Sequence, residues 1–135
     1  MNRYNQKAHI KAAEQRRLVT QLKELAVSVS RCQDTIASLI AELNSVNAKF
    51  QGERSTSQEV EYLTMLLACA KRKLAWEKQI ASLKKRAPAL LEEMSRTLSD
   101  KDFPPTEEMK AEMLNSLQIV QATLERLQAL SEGMA

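Results

Sequence analysis

The chain is predicted to be all-α, an elongated antiparallel three-helix bundle or coiled coil. Three observations predict it. Apolar side chains fall at Leu18, Leu22, Leu25, Val29, Cys32, Ile36, Leu39, Leu43, Val46 and Phe50, alternating steps of four and three without a miss. That spacing is a heptad seam, whose physical use is burial against other helices. Glycine occurs only 2 times and proline 3 times in 135 residues, and aromatics make up 4%, a composition of long helices that argues against a sheet. Two short breaks, at 51–57 and 99–105, divide the chain into three helical segments.

The first helix is expected over 3–50, roughly 70 Å at the rise of an α-helix. Extended backwards, its seam meets Gln15, Lys11, Ala8 and Tyr4. Residues 1–17 therefore read as a basic helical extension with little to bury, and 18–135 as one bundle domain. Val19, Ala26 and Ile40 flank the seam and widen it, which suits a helix packed against two neighbours. In the first break, Gly52 can take the left-handed conformation that ends a helix, and Ser55, Thr56 or Ser57 can cap the next. So short a connection makes the flanking helices antiparallel neighbours.

The second helix is expected over 57–99. Its apolar positions are Val60, Leu63, Leu66, Leu67, Ala70 and Leu74, then Trp76, Ile80, Leu83, Ala87, Leu90, Met94 and Leu98, with a shift of phase between Leu74 and Trp76. Pro88 removes a backbone donor inside it, at a cost of about 3 kcal/mol. Because the spacing continues on both sides, a kink near Pro88 is expected in preference to a break. Pro104 and Pro105 end the helical run, and Thr106 with Glu107 and Glu108 makes a good N-terminus for a third helix over 107–132. There Met113, Leu117, Val120, Leu124 and Leu127 repeat the four-three spacing, flanked by Met109, Leu114, Ile119 and Leu130.

The third helix is the shortest. Running back along the second at equal rise, it would end near residue 73, opposite Arg31 to Asp34 of the first. Beyond that level the first two helices would form a two-stranded arm that stays apolar: Ile36, Leu39, Ile40, Leu43, Val46 and Phe50 on one strand, Val60, Tyr62, Leu63, Met65, Leu66 and Leu67 on the other. At about 25 cal/mol per Å², leaving several such side chains wet forgoes several kcal/mol. The arm is therefore expected to dock onto the helices of other proteins in a hetero-complex, or onto its own copy as a homo-oligomer.

The formal charge of +3 is unevenly spread. Residues 1–17 carry five Lys/Arg and one Glu, residues 71–86 seven Lys/Arg and one Glu, and residues 87–135 nine acids and four bases. One reading is that the basic face of helix two meets the acidic third helix, or water. The other is that Lys71, Arg72, Lys73, Lys84, Lys85 and Arg86, with Arg16 and Arg17, contact nucleic acid, acidic protein tails or anionic membrane. Zinc spacing, a helix-turn-helix and aromatics placed for stacking are all missing, so base reading is unsupported.

Chemistry is equally unsupported. The sequence has no glycine-rich phosphate loop, no nucleophile elbow and no HExxH. Its single histidine, His9, lies in the extension. Cys32 and Cys69 sit among apolar residues and read as reduced, buried thiols rather than a disulfide or metal ligands. Reduced thiols agree with an intracellular home, cytoplasmic or nuclear. There is no apolar run long enough to span a bilayer, and the N-terminus lacks the apolar core of a secretory signal. Its basic, helical character is like a mitochondrial presequence, but it runs into the heptads and contains Glu14, so it reads as a plain helix start.

The functional expectation is a non-enzymatic structural or adaptor subunit of a larger assembly, with no cofactor. Three-helix domains of this general shape occur in spectrin-like repeats and in subunits of kinetochore, tethering and cytoskeletal complexes, a likeness of architecture that no motif carries. The alternative is a basic module tethered through residues 71–86. A third possibility is a small chaperone cradling a client helix.

Overall fold

The computed structural model describes residues 3–133; the outermost residues of both expected domains, 1–2 and 134–135, lie outside the described residues. Three helices follow one another: α1 (Arg3–Lys49), α2 (Thr56–Leu98) and α3 (Glu107–Gly133). Among the described residues there is no strand.

The seam of α1 is the core of the molecule. Leu18, Leu22, Leu25, Val29, Cys32, Ile36, Leu39, Val46 and Phe50 are all buried, and so are the flanking Val19 and Ala26. This width lets α1 serve two neighbours. Both α2 and α3 pack along it, whereas α2 and α3 approach each other at only a few points. The third helix therefore runs back mainly along the first, not along the second as the chain order suggested. Its inward line is Met113, Ser116, Val120, Thr123 and Leu127, all buried, while Leu117 and Leu124 are pushed to the half-buried flank. The buried face thus lies one column away from the leucine-based line expected from the sequence, over two small hydroxyl residues.

Both connections are held by local bonds. Phe50 ends α1, and Gly52 follows at φ +83°. Ser55 caps α2: its Oγ accepts from the Gln58 backbone N–H while the Gln58 side chain accepts from the Ser55 N–H, a reciprocal box. Arg54 turns back to donate to the Phe50 carbonyl at 2.9 Å and lies over the Tyr62 ring at 4.2 Å. Phe50 and Tyr62 pack at 5.4 Å between centroids, and the Tyr62 hydroxyl donates to Asn47 Oδ1 at 2.9 Å. These two aromatics brace the hairpin tip. In the second connection, Asp100 Oδ1 accepts from the N–H groups of Asp102 and Phe103, and Thr106 Oγ1 accepts from Met109 N–H as the expected cap.

The N-terminal extension is not left idle. Gln15 is buried and donates to the Phe103 carbonyl at 2.7 Å, Lys11 pairs with Asp100, and Tyr4 stacks on Phe103. The linker thereby climbs the side of α1, and α3 begins well up the bundle. Lys23 of α1 bonds Glu112 of α3 at 2.9 Å. Further along, Val120 and Leu127 of α3 share one cluster with Ile36 and Leu39 of α1, so α3 helps to cover part of the expected arm.

α2 passes through Pro88 as one helix. Pro88 is exposed while its neighbour Ala87 faces α1, so the carbonyl that loses its partner lies on the wet side, where water can replace it. Trp76 locks the two long helices together. It is 2% exposed, and its Nε1–H donates to the Cys32 carbonyl at 2.8 Å. Trp76→Ala should cost about 3–5 kcal/mol in urea unfolding, and Trp76→Phe, which keeps the packing and loses the bond, about 1–2 kcal/mol. Gly52→Ala meets no atom within 4 Å yet should cost about 1 kcal/mol, from the positive φ alone.

Candidate docking surface

The inward residues of α2 are Cys69, Trp76, Ile80, Leu83, Ala87 and Met94. Tyr62, Leu66 and Leu90 extend that line half-buried. A second apolar line, Val60, Leu63, Leu67, Ala70 and Leu74, keeps the same three-four spacing but is exposed throughout. Val60 is 60% exposed, Leu63 54%, Leu67 56% and Leu74 53%. The two lines lie about 120° apart around the helix. The apparent phase shift between Leu74 and Trp76 is therefore the place where the outward line stops and the inward one becomes the only one.

This divides the residues expected to form a partner-binding arm. On α1, Ile36, Leu39, Val46 and Phe50 are buried within the chain itself. Ile40 and Leu43 are half-buried against the same core. The expected exposure of this strand is corrected for two reasons: Ile36 and Leu39 share one cluster with Cys69 and Trp76 of α2 and Val120 and Leu127 of α3, and Tyr62 covers Phe50. On α2, Val60, Leu63 and Leu67 are exposed as expected, and Tyr62 and Leu66 are half-covered. Leu74 and Ala70 join the exposed line; their three-four spacing from Leu67 was the signal that could have placed them there.

The basic residues also divide. Arg72 is paired with Glu42 of α1, and Lys73 with Glu77 one turn on at 3.7 Å. Lys71, Lys78 and Lys85 are exposed and seven residues apart, so they form one column beside the outward apolar line. Lys84 lines a shallow notch of about 260 Å³ with Trp76, Leu127 and Glu132, whereas Arg86 turns toward Arg31 and Ser28 of α1. Arg16 and Arg17 are exposed but lie near the level of Arg96, beside Gln15, turns away from Arg86. The eight basic positions do not make one patch. Among the described residues no ion pair joins 71–86 to α3, so most of the basic run faces water rather than the acidic third helix.

The two thiols are free and buried. Cys32 lies beside Trp76 and Gln79, so Cys69, seven residues from Trp76, is about 10 Å further along the axis, too far for a disulfide. Burial pushes the Cys32 thiol up from its ordinary range, which disfavours the reactive thiolate. His9 is exposed, and among the described residues no group of three His, Cys, Asp or Glu could hold a metal ion. Nor is any described helix long and apolar enough to cross a membrane.

No protein-family profile matches the chain, and comparison with curated proteins and with solved structures finds no significant match. Leu67→Asp should leave the unfolding free energy from urea titration within about 0.5 kcal/mol of the parent, because the site is already wet. Leu39→Asp, which buries an unpaired charge, should abolish the cooperative transition measured by far-UV circular dichroism.

Proposed function

We propose that the chain is a non-enzymatic structural or adaptor subunit that associates with partner helices through the outward apolar line of α2. The observation that supports this reading is Val60, Leu63, Leu67 and Leu74, each more than half exposed at the spacing of a helical seam. Isolated exposed leucines are ordinary, but a regular line of them four turns long forms a patch of the kind found at interaction sites. A partner helix laid along it would gain burial at about 25 cal/mol per Å². The column of Lys71, Lys78 and Lys85 would then select acidic residues on the partner's edge and fix its register. Kinetochore, cytoskeletal and tethering assemblies all use subunits of this kind.

A second reading is favoured by one observation, that Lys71, Lys78, Lys84, Lys85 and Arg86 have no ion-pair partner among the described residues. It makes the same helix a basic module for nucleic acid, acidic protein tails or anionic membrane. Salt separates the two. Apolar docking should survive a rise from 50 to 200 mM salt, whereas charge-led binding should fall by orders of magnitude. The direct test is native co-purification with mass measurement. The double variant Leu67→Asp, Leu74→Asp should fold with parental helicity and melting temperature yet lose the co-purifying subunits, and retention of those subunits would refute apolar docking along α2.

A further inference from the structure

The geometry points to a second copy of this chain as the occupant of the outward line, paired antiparallel through α2; the inference rests on the docking reading above and names its partner. The pattern of side chains along the line is complementary to itself. In antiparallel helices each layer joins the two alternating columns of a seam, one from each helix. Turned end over end about a point near Met65, the line meets itself with Leu63 against Leu67 of the copy, twice by symmetry, and Val60 against Ala70 of the copy, again twice. Large faces large at the centre and medium faces small at the ends, so four consecutive layers close without a polar residue.

Charge is complementary in the same arrangement. The same register sets Glu59 across from Lys73 of the copy on one flank, and Glu61 across from Lys71 on the other, with both pairs repeated by the two-fold. Their present partners are on the surface of the same chain: Glu59 with Arg54, Lys73 with Glu77 and Glu61 with Lys49. Such exposed pairs are weak and exchange readily. Antiparallel pairing also keeps the two basic runs, 71–86, at opposite ends of the contact. Parallel pairing does the reverse, placing Lys73 of each chain against Lys78 of its neighbour. Charge therefore selects the antiparallel arrangement.

The contact is short. Four layers bury a few hundred Å² from each copy, at the small end of specific interfaces, so a dimer in the micromolar range is expected rather than a permanent one. Sedimentation velocity of the purified chain across the micromolar range should show monomer passing to dimer. Glu59→Lys and Lys73→Glu should each weaken the dimer about tenfold, and the double exchange should restore it. Chains carrying Leu63→Cys mixed with chains carrying Leu67→Cys should cross-link on oxidation, and neither should do so alone. Cross-linking of each variant with itself would instead reveal parallel pairing and overturn the inference. A chain that remains monomeric throughout overturns self-pairing too. In that case, loss of co-purifying subunits on Leu67→Asp, Leu74→Asp would leave the docking reading standing with a different protein as partner, and their retention would remove both.

Discussion

The structure depends on one constraint: α1 carries an apolar stripe too wide for a single neighbour. Its two seam columns, together with Val19 and Ala26, are buried from Leu18 to Leu39, and no one helix covers that width. α2 and α3 each present only a narrow inward line, so both must sit on α1. Leu18, Val19, Leu22, Met94 and Met113 show the result in one layer, with α1 contributing three of the five side chains. The weak approach of α2 to α3 is the counterpart of that arrangement.

Polar groups then decide height rather than existence. Hydrophobic burial is non-directional and would tolerate a slip of one helix along another. The indole of Trp76 on the Cys32 carbonyl and the Tyr62 hydroxyl on Asn47 fix α2 against α1. Gln15 on the Phe103 carbonyl fixes where α3 starts. Each ties a backbone or amide oxygen on one element to a donor on another, and a slip of one turn would leave the buried indole N–H of Trp76 unpaired.

Much of the fold was legible in the sequence. Gly52, the prolines at 104–105 and the Thr106 cap mark the helix ends to within a residue or two, because turn and cap chemistry is local. Three features were not legible, for distinct physical reasons. Periodicity states that a line of residues shares a face, but not whether that face points inward; hence Ala70 and Leu74 could be placed on the outward line only once Trp76 and Cys69 are seen to occupy the other side. Hydrophobicity favours Leu117 and Leu124 as seam residues, whereas Ser116 and Thr123 take those places. Finally, the rise of the linker depends on Gln15 and Tyr4, ninety or so residues away. Residues of both α2 and α3 share the cluster that covers Ile36 and Leu39, so these arm residues of α1 are buried within the chain, whereas Val60, Leu63 and Leu67 of α2 are exposed.

The seating of Trp76 has an optical corollary. It is the single tryptophan in the chain, and it sits where α1 and α2 meet, with Ile80 and, across the notch, Leu127 of α3 as neighbours. Its fluorescence therefore originates from a point where all three helices meet. Dehydration and the bond to Cys32 set the emission colour of the folded chain, and separation of either long helix, or withdrawal of the end of α3, lets water reach the ring and reddens it. The molecule thus contains its own spectroscopic gauge of assembly, needing no added label.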